Sequence, residues 1–146
     1  MAKVLVSACL LGRACRYHGG DAKEEALEST LDEGGAEIVP FCPEEAGGLG
    51  TPRPPAQIHG GDGEAVLDGK ARVVTEDGRD VTEAFLAGAR AALEAARGEG
   101  CSTAYLKERS PSCGCALVHT GDGLTRGCGV TAALLRRGGV ATISVG

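Results

Sequence analysis

Short apolar runs alternate with helical patterns along this 146-residue chain, and that alternation constrains its fold more than any other feature. The apolar runs have the length and composition of buried strands and lie at residues 3–8, 37–42, 103–107 and 140–145. The helical patterns lie between them, at residues 22–33, 81–97 and 130–137. The repetition predicts one Rossmann-like α/β domain over residues 1–146, with a mainly parallel four-stranded sheet between helices on both faces, in three layers.

The middle of the chain departs from this alternation. Residues 43–63 are dense in Gly and Pro and are expected to be a long irregular segment. Residues 64–75 are predicted to be two short strands around the turn dipeptide Asp68-Gly69, forming a small β-hairpin excursion from the main sheet. Pro40 weakens the strand at 37–42, because proline is tolerated only on an edge strand or at a strand end. The spacing of Asp80 and Glu83 predicts a capping box for the longest helix.

Charge and composition limit the partners. The formal net charge is −5 and no block of basic residues is present, which argues against nucleic-acid binding and favours a small-molecule ligand. The amino-terminal segment lacks the apolar core of a secretion signal, and no stretch is long enough to span a membrane. We therefore expect a cytoplasmic protein without membrane partners. The oligomeric state stays open.

Seven cysteines are many for such a chain, and an odd number fits poorly with a closed set of disulfides. Cys9, Cys42 and Cys113 follow three of the predicted strands. Because ligands bind beyond the carboxyl ends of parallel strands, these thiols are expected to converge. Three thiolates suit a soft metal or an iron–sulfur cluster and leave one coordination position open. Cys101, at the other end of its strand, is expected to be structural.

Polar residues beside these cysteines are candidates for the chemistry. Glu44 is two residues from Cys42 and is a candidate general base, whereas Glu45 is expected to be solvated. Ser110 and Ser112 precede Cys113, where their hydroxyls would bind a ligand or, on local sequence alone, more simply cap a turn. Arg53, between prolines, would either bind a ligand or fasten its own loop.

The ordered motifs of the chain resemble the thiouracil desulfidase family of bacteria and archaea, long known as a domain of unknown function. They read SACLLGRACRY (7–17), FCPEEAGGLGTPRPP (41–55), LDGKARVV (67–74), GRDVTEAFLAGA (78–89), LKERSPSCG (106–114) and GVTAALLR (129–136). The resemblance covers nearly the whole chain. It implies iron–sulfur-dependent, non-redox removal of sulfur from a thiolated nucleobase such as thiouracil, giving the oxo base and sulfide.

The resemblance also implies which residues act. An oxygen-sensitive [4Fe-4S] cluster with one open iron is implied to bind to Cys9, Cys42 and Cys113. The implied catalytic pair is Glu44 and Ser110, with Ser112 as the rival of Ser110. Cys15 matches the motif but is assigned only a supporting or structural role.

Two other classes of function remain open from the sequence. One is a protein that binds a metal or a thiolated metabolite without converting it. For the implied cluster, Cys15 is an alternative ligand, and Cys115 and Cys128 are either alternative ligands or sites of cluster damage. The other is a thiol-redox protein that uses Cys9 and Cys15, although their spacing is not that of a Cys-x-x-Cys motif. No phosphate-binding glycine motif is present to support a nucleotide enzyme.

Overall fold

The computed structural model describes residues 3–121 and 123–145, and within them the chain forms eight strands and five α-helices. The strands are β1 (Lys3–Ser7), β2 (Glu37–Phe41), β3 (Ala56–His59), β4 (Arg72–Thr75), β5 (Thr103–Lys107), β6 (Leu117–Thr120), β7 (Gly123–Arg126) and β8 (Ala141–Val145). The helices are α1 (Leu27–Glu33), α2 (Pro43–Ala46), α3 (Gly63–Leu67), α4 (Thr82–Glu99) and α5 (Val130–Arg137). A short 3₁₀ helix, Ala8–Leu11, follows β1 directly.

The predicted parallel sheet is confirmed, with the strand order β2-β1-β5-β8 and every neighbouring pair parallel. Pro40 lies opposite Val6 on the edge strand β2, where its missing N–H leaves no inner partner unsatisfied. Because all four strands run the same way, the loops after β1, β2 and β5 leave the sheet along one edge.

Helices cover both faces of this sheet, as the sequence predicts. Alternate residues of β1 point to opposite faces. Val4 and Val6 pack with Leu31 of α1 on one face. Leu5 packs on the other face with Leu93 of α4 and a larger set of apolar residues from α4, α5 and β5. The sheet is thus the middle of three layers, and burial on both faces explains why its inner strand β1 is an apolar run without alternation.

The prediction for residues 64–75 is wrong at its start. Asp62 caps α3 by accepting hydrogen bonds from the backbone N–H groups of Glu64 (3.1 Å) and Ala65 (3.3 Å), so Gly63–Leu67 is helical. The antiparallel pair that contains β4 is formed with β3, from the segment expected to be irregular. A short apolar run does not by itself distinguish a strand from a helix.

The excursion is also larger than a hairpin. β3 and β4 belong to a second four-stranded sheet of order β4-β3-β6-β7. Its strands β6 and β7 were not predicted, and all four residues of β7 are exposed. An exposed strand carries no buried apolar pattern by which a sequence would identify it.

Two helix starts also differ from prediction. The helix predicted from Ala22 begins at Leu27, because the N–H groups of Ala22 and Glu24 donate to Cys9 O and Leu10 O, 3.0 Å away in each case. The predicted capping box does not form at α4: the N-cap residue is Val81, without a side-chain cap, and Asp80 Oδ1 accepts only from the N–H of Thr82 at 2.9 Å. No helix among the described residues is both long enough and apolar enough to cross a membrane.

Glycines allow two close backbone approaches that hold the edge loops. A Cβ at Gly88 of α4 would collide with the carbonyl oxygen of Pro43, at the start of α2. A Cβ at Gly129, just before α5, would collide with the carbonyl group of Ser112. The first contact holds the segment after β2 against α4, and the second holds the segment after β5 against the start of α5. Both segments carry predicted site residues.

Candidate active site

A cavity of about 360 Å³ opens at the carboxyl edge of the parallel sheet. Its walls come from the loops after β1, β2 and β5 and from the neighbouring second sheet. All the residues that the sequence singles out for the site lie on these walls: Cys9, Cys15, Cys42, Glu44, Arg53, Ser110, Ser112 and Cys113.

The three proposed ligand cysteines come from three neighbouring strands. Cys9 lies in the 3₁₀ helix after β1, Cys42 directly follows β2, and Cys113 lies in the loop after β5. Cys9 and Cys113 are buried and Cys42 is half-buried. The topology therefore brings together three thiols that lie as many as 104 positions apart in the sequence.

Cys15 lies beside Cys42, one of the three proposed ligands. The Sγ atoms of Cys15 and Cys42 and a carboxylate oxygen of Glu45 all lie within 4.8 Å of one another. This spacing is that of a single-ion site, whereas the ligand sulfurs of a four-iron cluster are farther apart. Cys15 is therefore placed to share a single ion with Cys42 and Glu45.

Glu45 is not the solvated neighbour that the sequence predicts. Its side chain is 25% exposed, and its Oε2 atom accepts a 2.6 Å hydrogen bond from Thr51 Oγ1. Arg13 Nη2 lies 3.0 Å from Oε1 in an ion pair. Both glutamates lie on α2, which packs on α4 through Gly88.

Three thiols of the cavity wall, those of Cys15, Cys42 and Cys113, have raised pKa values. Burial raises the pKa of the Cys113 thiol to about 12, although the Ser7 hydroxyl acts in the opposite direction. The neighbouring Cys15 thiol, together with burial, holds the pKa of Cys42 far above its usual range. The hydrogen bond with Cys42 lowers the pKa of Cys15, but Cys9 and burial outweigh it and raise that pKa to about 11. Metal binding to these thiols must therefore release protons.

Glu44 forms a largely buried ion pair with Arg53, whose side chain is only 8% exposed. Arg53 Nε donates to Glu44 Oε2 at 3.0 Å, and Arg53 Nη2 donates to the same oxygen. The planar guanidinium therefore fixes the orientation of the carboxylate and leaves Oε1 outside the pair.

Arg53 also joins the Cys15 segment to its own loop. Its Nη2 donates to Cys15 O at 2.9 Å, and its Nη1 donates to Gly50 O at 3.0 Å and Thr51 Oγ1 at 2.9 Å. Of the two predicted roles for Arg53, fastening its own loop is the one that these contacts display. The same contacts couple the Cys15 segment to Glu44.

The two serines differ in what their hydroxyls already bind. Ser110 Oγ accepts hydrogen bonds from the N–H groups of Ser112 and Cys113, both at 3.1 Å, so it caps the turn that carries Cys113. Its own proton stays available for donation into the cavity. Ser112 is 1% exposed, and its hydroxyl lies 2.7 Å from Thr131 Oγ1 of α5. Ser110 is the more accessible hydroxyl.

Basic side chains predominate on the cavity wall, although the whole chain is acidic. Arg16, Arg53, Arg79, Lys107 and Arg109 line it, against Glu44 and Glu108. Burial and the nearby Arg16 lower the pKa of Lys107. Such a wall favours an anionic or electron-rich small molecule.

Glu108 is a structural residue that sequence reasoning missed. It is buried, and its Oε1 atom accepts hydrogen bonds of 2.8–3.2 Å from four backbone N–H groups, those of Arg109, Cys115, Ala116 and Leu117. Burial would raise the pKa of Glu108, but the backbone donors outweigh it and bring the pKa to about 2. This one carboxylate thus holds together both ends of the loop that carries Ser110 and Cys113.

Replacing Glu108 by Gln should lower the free energy of unfolding of the metal-free protein by about 2 kcal/mol at neutral pH. The folded-state pKa lies below the ordinary value of 4.5, so this stabilisation is complete above pH 4.5 and is lost as the pH falls towards 2. Urea unfolding at a series of pH values measures it. The exposed Glu76→Gln is the matched control. If the loss of unfolding free energy in E108Q were the same at every pH, this account of Glu108 would be contradicted.

Cys101, Cys115 and Cys128 do not line this cavity. Cys101 packs in the core beneath α4, in keeping with its expected structural role. Cys115 and Cys128 border another cleft, together with Asp62 and Arg136. Cys128 is bound there to Asp62, whose Oδ2 accepts from the Cys128 N–H at 3.2 Å. Cys115 and Cys128 therefore lie in a different cleft from Cys9, Cys42 and Cys113.

Comparison with known proteins agrees with the resemblance of the motifs. A family model described as 2-thiouracil desulfurase matches residues 4–145. The uncharacterized protein YbbK of Bacillus subtilis (strain 168) is 46% identical over 144 residues, which cover 97% of this chain and 94% of YbbK. The solved structure of the [4Fe-4S]-dependent thiouracil desulfidase TudS superposes with a TM-score of 0.82 at 43% identity, covering 99% of this chain and 91% of TudS. On this evidence, the chain belongs to the 2-thiouracil desulfurase family.

Proposed function

We propose that this protein removes sulfur from a small thiolated base of the thiouracil type and releases the oxo base and sulfide. The reaction replaces C=S by C=O with one water molecule and releases H₂S, so it needs no electron donor or acceptor. The observation that carries the proposal is the convergence of three thiols from neighbouring strand ends on one cavity wall, beside a carboxylate and a hydroxyl.

The donor set fits a [4Fe-4S] cluster. Thiolates are the usual ligands of such clusters, and three of them, rather than four, leave one iron without a protein ligand. We propose Cys9, Cys42 and Cys113 as the ligands, because each follows a different strand and all three face the cavity. When bound, the cluster supplies a thiophilic Lewis acid for the sulfur of the substrate.

We propose that Glu44 acts as the general base. Its carboxylate takes a proton from the water that attacks the thiocarbonyl carbon. Arg53 holds the carboxylate through Oε2 and keeps it in one orientation, so that Oε1 is the oxygen that receives the proton. The packing of α2 on Gly88 places this pair on the same wall as Cys42.

We propose Ser110, rather than Ser112, as the second catalytic residue. The Ser110 oxygen accepts from two backbone N–H groups, which leaves its own proton for donation, and the residue lines the cavity. Ser110 donates that proton to the departing sulfur and takes one back from the hydroxyl group on the attacked carbon, so sulfur leaves as hydrosulfide while Glu44 holds the other proton of the water. Basic residues of the wall, including Arg16 and Arg109, would attract the hydrosulfide anion as it leaves.

One observation favours a second candidate function. The close grouping of Cys15, Cys42 and Glu45 is suited to a single soft cation. The protein would then bind a metal without converting a substrate. The seven cysteines are all free, which fits a reducing compartment, and we propose the cytoplasm as the site of action in either case.

Anaerobic reconstitution with iron and sulfide, followed by incubation with 2-thiouracil, tests the proposal. We expect uracil and sulfide to form in equal amounts, in many turnovers per protein and without an added reductant. Uracil measured by chromatography and sulfide measured by colorimetry give the ratio. A protein that carries the cluster but releases no sulfide from thiouracil or a related thiolated base would favour the metal-binding candidate instead.

A further inference from the structure

Ser7, at the carboxyl end of β1, has a buried hydroxyl that bonds to a proposed cluster ligand. The residue is 3% exposed. Its Oγ atom lies 3.6 Å from Cys113 Sγ, within the range of a hydrogen bond to sulfur. The two residues are 106 positions apart in the sequence, so nothing in the local motifs indicates this contact.

A second hydrogen bond fixes which way the Ser7 proton points. The backbone N–H of Lys107 donates to Ser7 Oγ at 3.2 Å and occupies its acceptor side. The hydroxyl proton is then directed to Cys113 Sγ. The Ser112 hydroxyl is 3.9 Å from the same sulfur but is shared with Thr131 at 2.7 Å. Ser7 is thus the donor that the fold orients towards this thiol.

We infer that Ser7 is a positioning residue for the cluster, donating a hydrogen bond to the ligated sulfur of Cys113. This inference rests on the proposed function, since it requires Cys113 to be a ligand. A donor at a ligand sulfur stabilises negative charge there, and more so when the cluster is reduced. Ser7 therefore raises the reduction potential of the cluster and slows its loss of iron.

Ser7 is held in place by both neighbouring strands. Its backbone pairs with Phe41 of β2, one residue before Cys42, and its side chain bonds to the last residue of β5. Cys9 follows two residues later. Ser7 therefore lies beside all three segments that carry the proposed ligands. It is in register with the residue before Cys42, bonded to the last residue of β5 and two residues from Cys9.

The matched pair Ser7→Thr and Ser7→Val tests the inference in the reconstituted holoprotein. The two side chains have nearly the same shape, and only Thr keeps the hydroxyl. We expect S7V to have a lower reduction potential than S7T and the wild type, and to lose iron to a chelator about tenfold faster. Ser102→Ala, at an exposed position on the opposite edge of the sheet, should match the wild type. Circular dichroism establishes that each variant is folded.

Equal potentials and equal rates of iron loss for S7T and S7V would overturn the inference. Its failure is distinct from failure of the proposed ligand set. If Cys113→Ala bound a full complement of iron, Cys113 would not be a ligand and the proposed function itself would need revision. If C113A lost the cluster while S7T and S7V behaved alike, only the role of Ser7 would be wrong.

Discussion

Replacing Glu44 by Gln should slow the release of sulfide from thiouracil by roughly 10²–10⁴-fold, the range that general-base catalysis contributes. The iron and labile sulfide content of the protein should stay unchanged. The substitution removes the basicity of the side chain but keeps its shape, and the Gln amide oxygen can still accept the hydrogen bonds from Arg53. The loss should therefore be confined to kcat.

The geometry makes this variant a clean test of the base. The two N–H groups of Arg53 that reach Glu44 bond to one carboxylate oxygen, and the guanidinium is anchored independently by Cys15 O and Gly50 O. Neutralising Glu44 thus leaves Arg53 in place. Steady-state kinetics on the wild type, E44Q and the exposed control Glu25→Gln would compare the three. An E44Q protein that keeps full activity with a full cluster would exclude Glu44 as the base.

The parallel sheet could be predicted from the sequence because short apolar runs recur between helical patterns, and the inner strand β1 is buried on both faces. Residues 103–107 and the helix at 130–137 have the predicted bounds, since each is an uninterrupted pattern closed by a clear stop. The second sheet could not be predicted in the same way. β3 emerges from a segment rich in Pro and Gly and pairs with β4 across α3, and β7 is exposed along its whole length. Such pairing depends on distant partners and leaves no local pattern.

The site residues likewise fall into two groups, those that could be predicted from the sequence and those that could not. The cysteines at strand ends could be predicted to converge, because the topology of a parallel sheet brings those ends together. Ser7 and Glu108 could not, because their roles are hydrogen bonds to groups that only the folded chain brings near. The pairing of Arg53 with Glu44 could not be predicted from the sequence either. A nine-residue separation across Gly- and Pro-rich sequence does not predict a contact.

Iron binding by three specific cysteines is the central claim. Single replacements of Cys9, Cys42 or Cys113 by Ala should each reduce the iron and acid-labile sulfide retained after anaerobic reconstitution to a small fraction of the wild-type amount. Each removes one of three covalent anchors, and the buried wall offers no water-exposed substitute at Cys113. Thiouracil desulfuration should be lost with the cluster.

Cys101→Ala and Cys15→Ala complete the measurement. Cys101 is buried outside the cavity, so its variant controls for the loss of any core thiol and should keep its iron. Cys15 lies beside Cys42, so its variant distinguishes a neighbour from a ligand. The most direct test is iron and labile sulfide per protein across these five variants. The account predicts loss in C9A, C42A and C113A and retention in C15A and C101A, whereas loss in C15A with retention in C9A would contradict it.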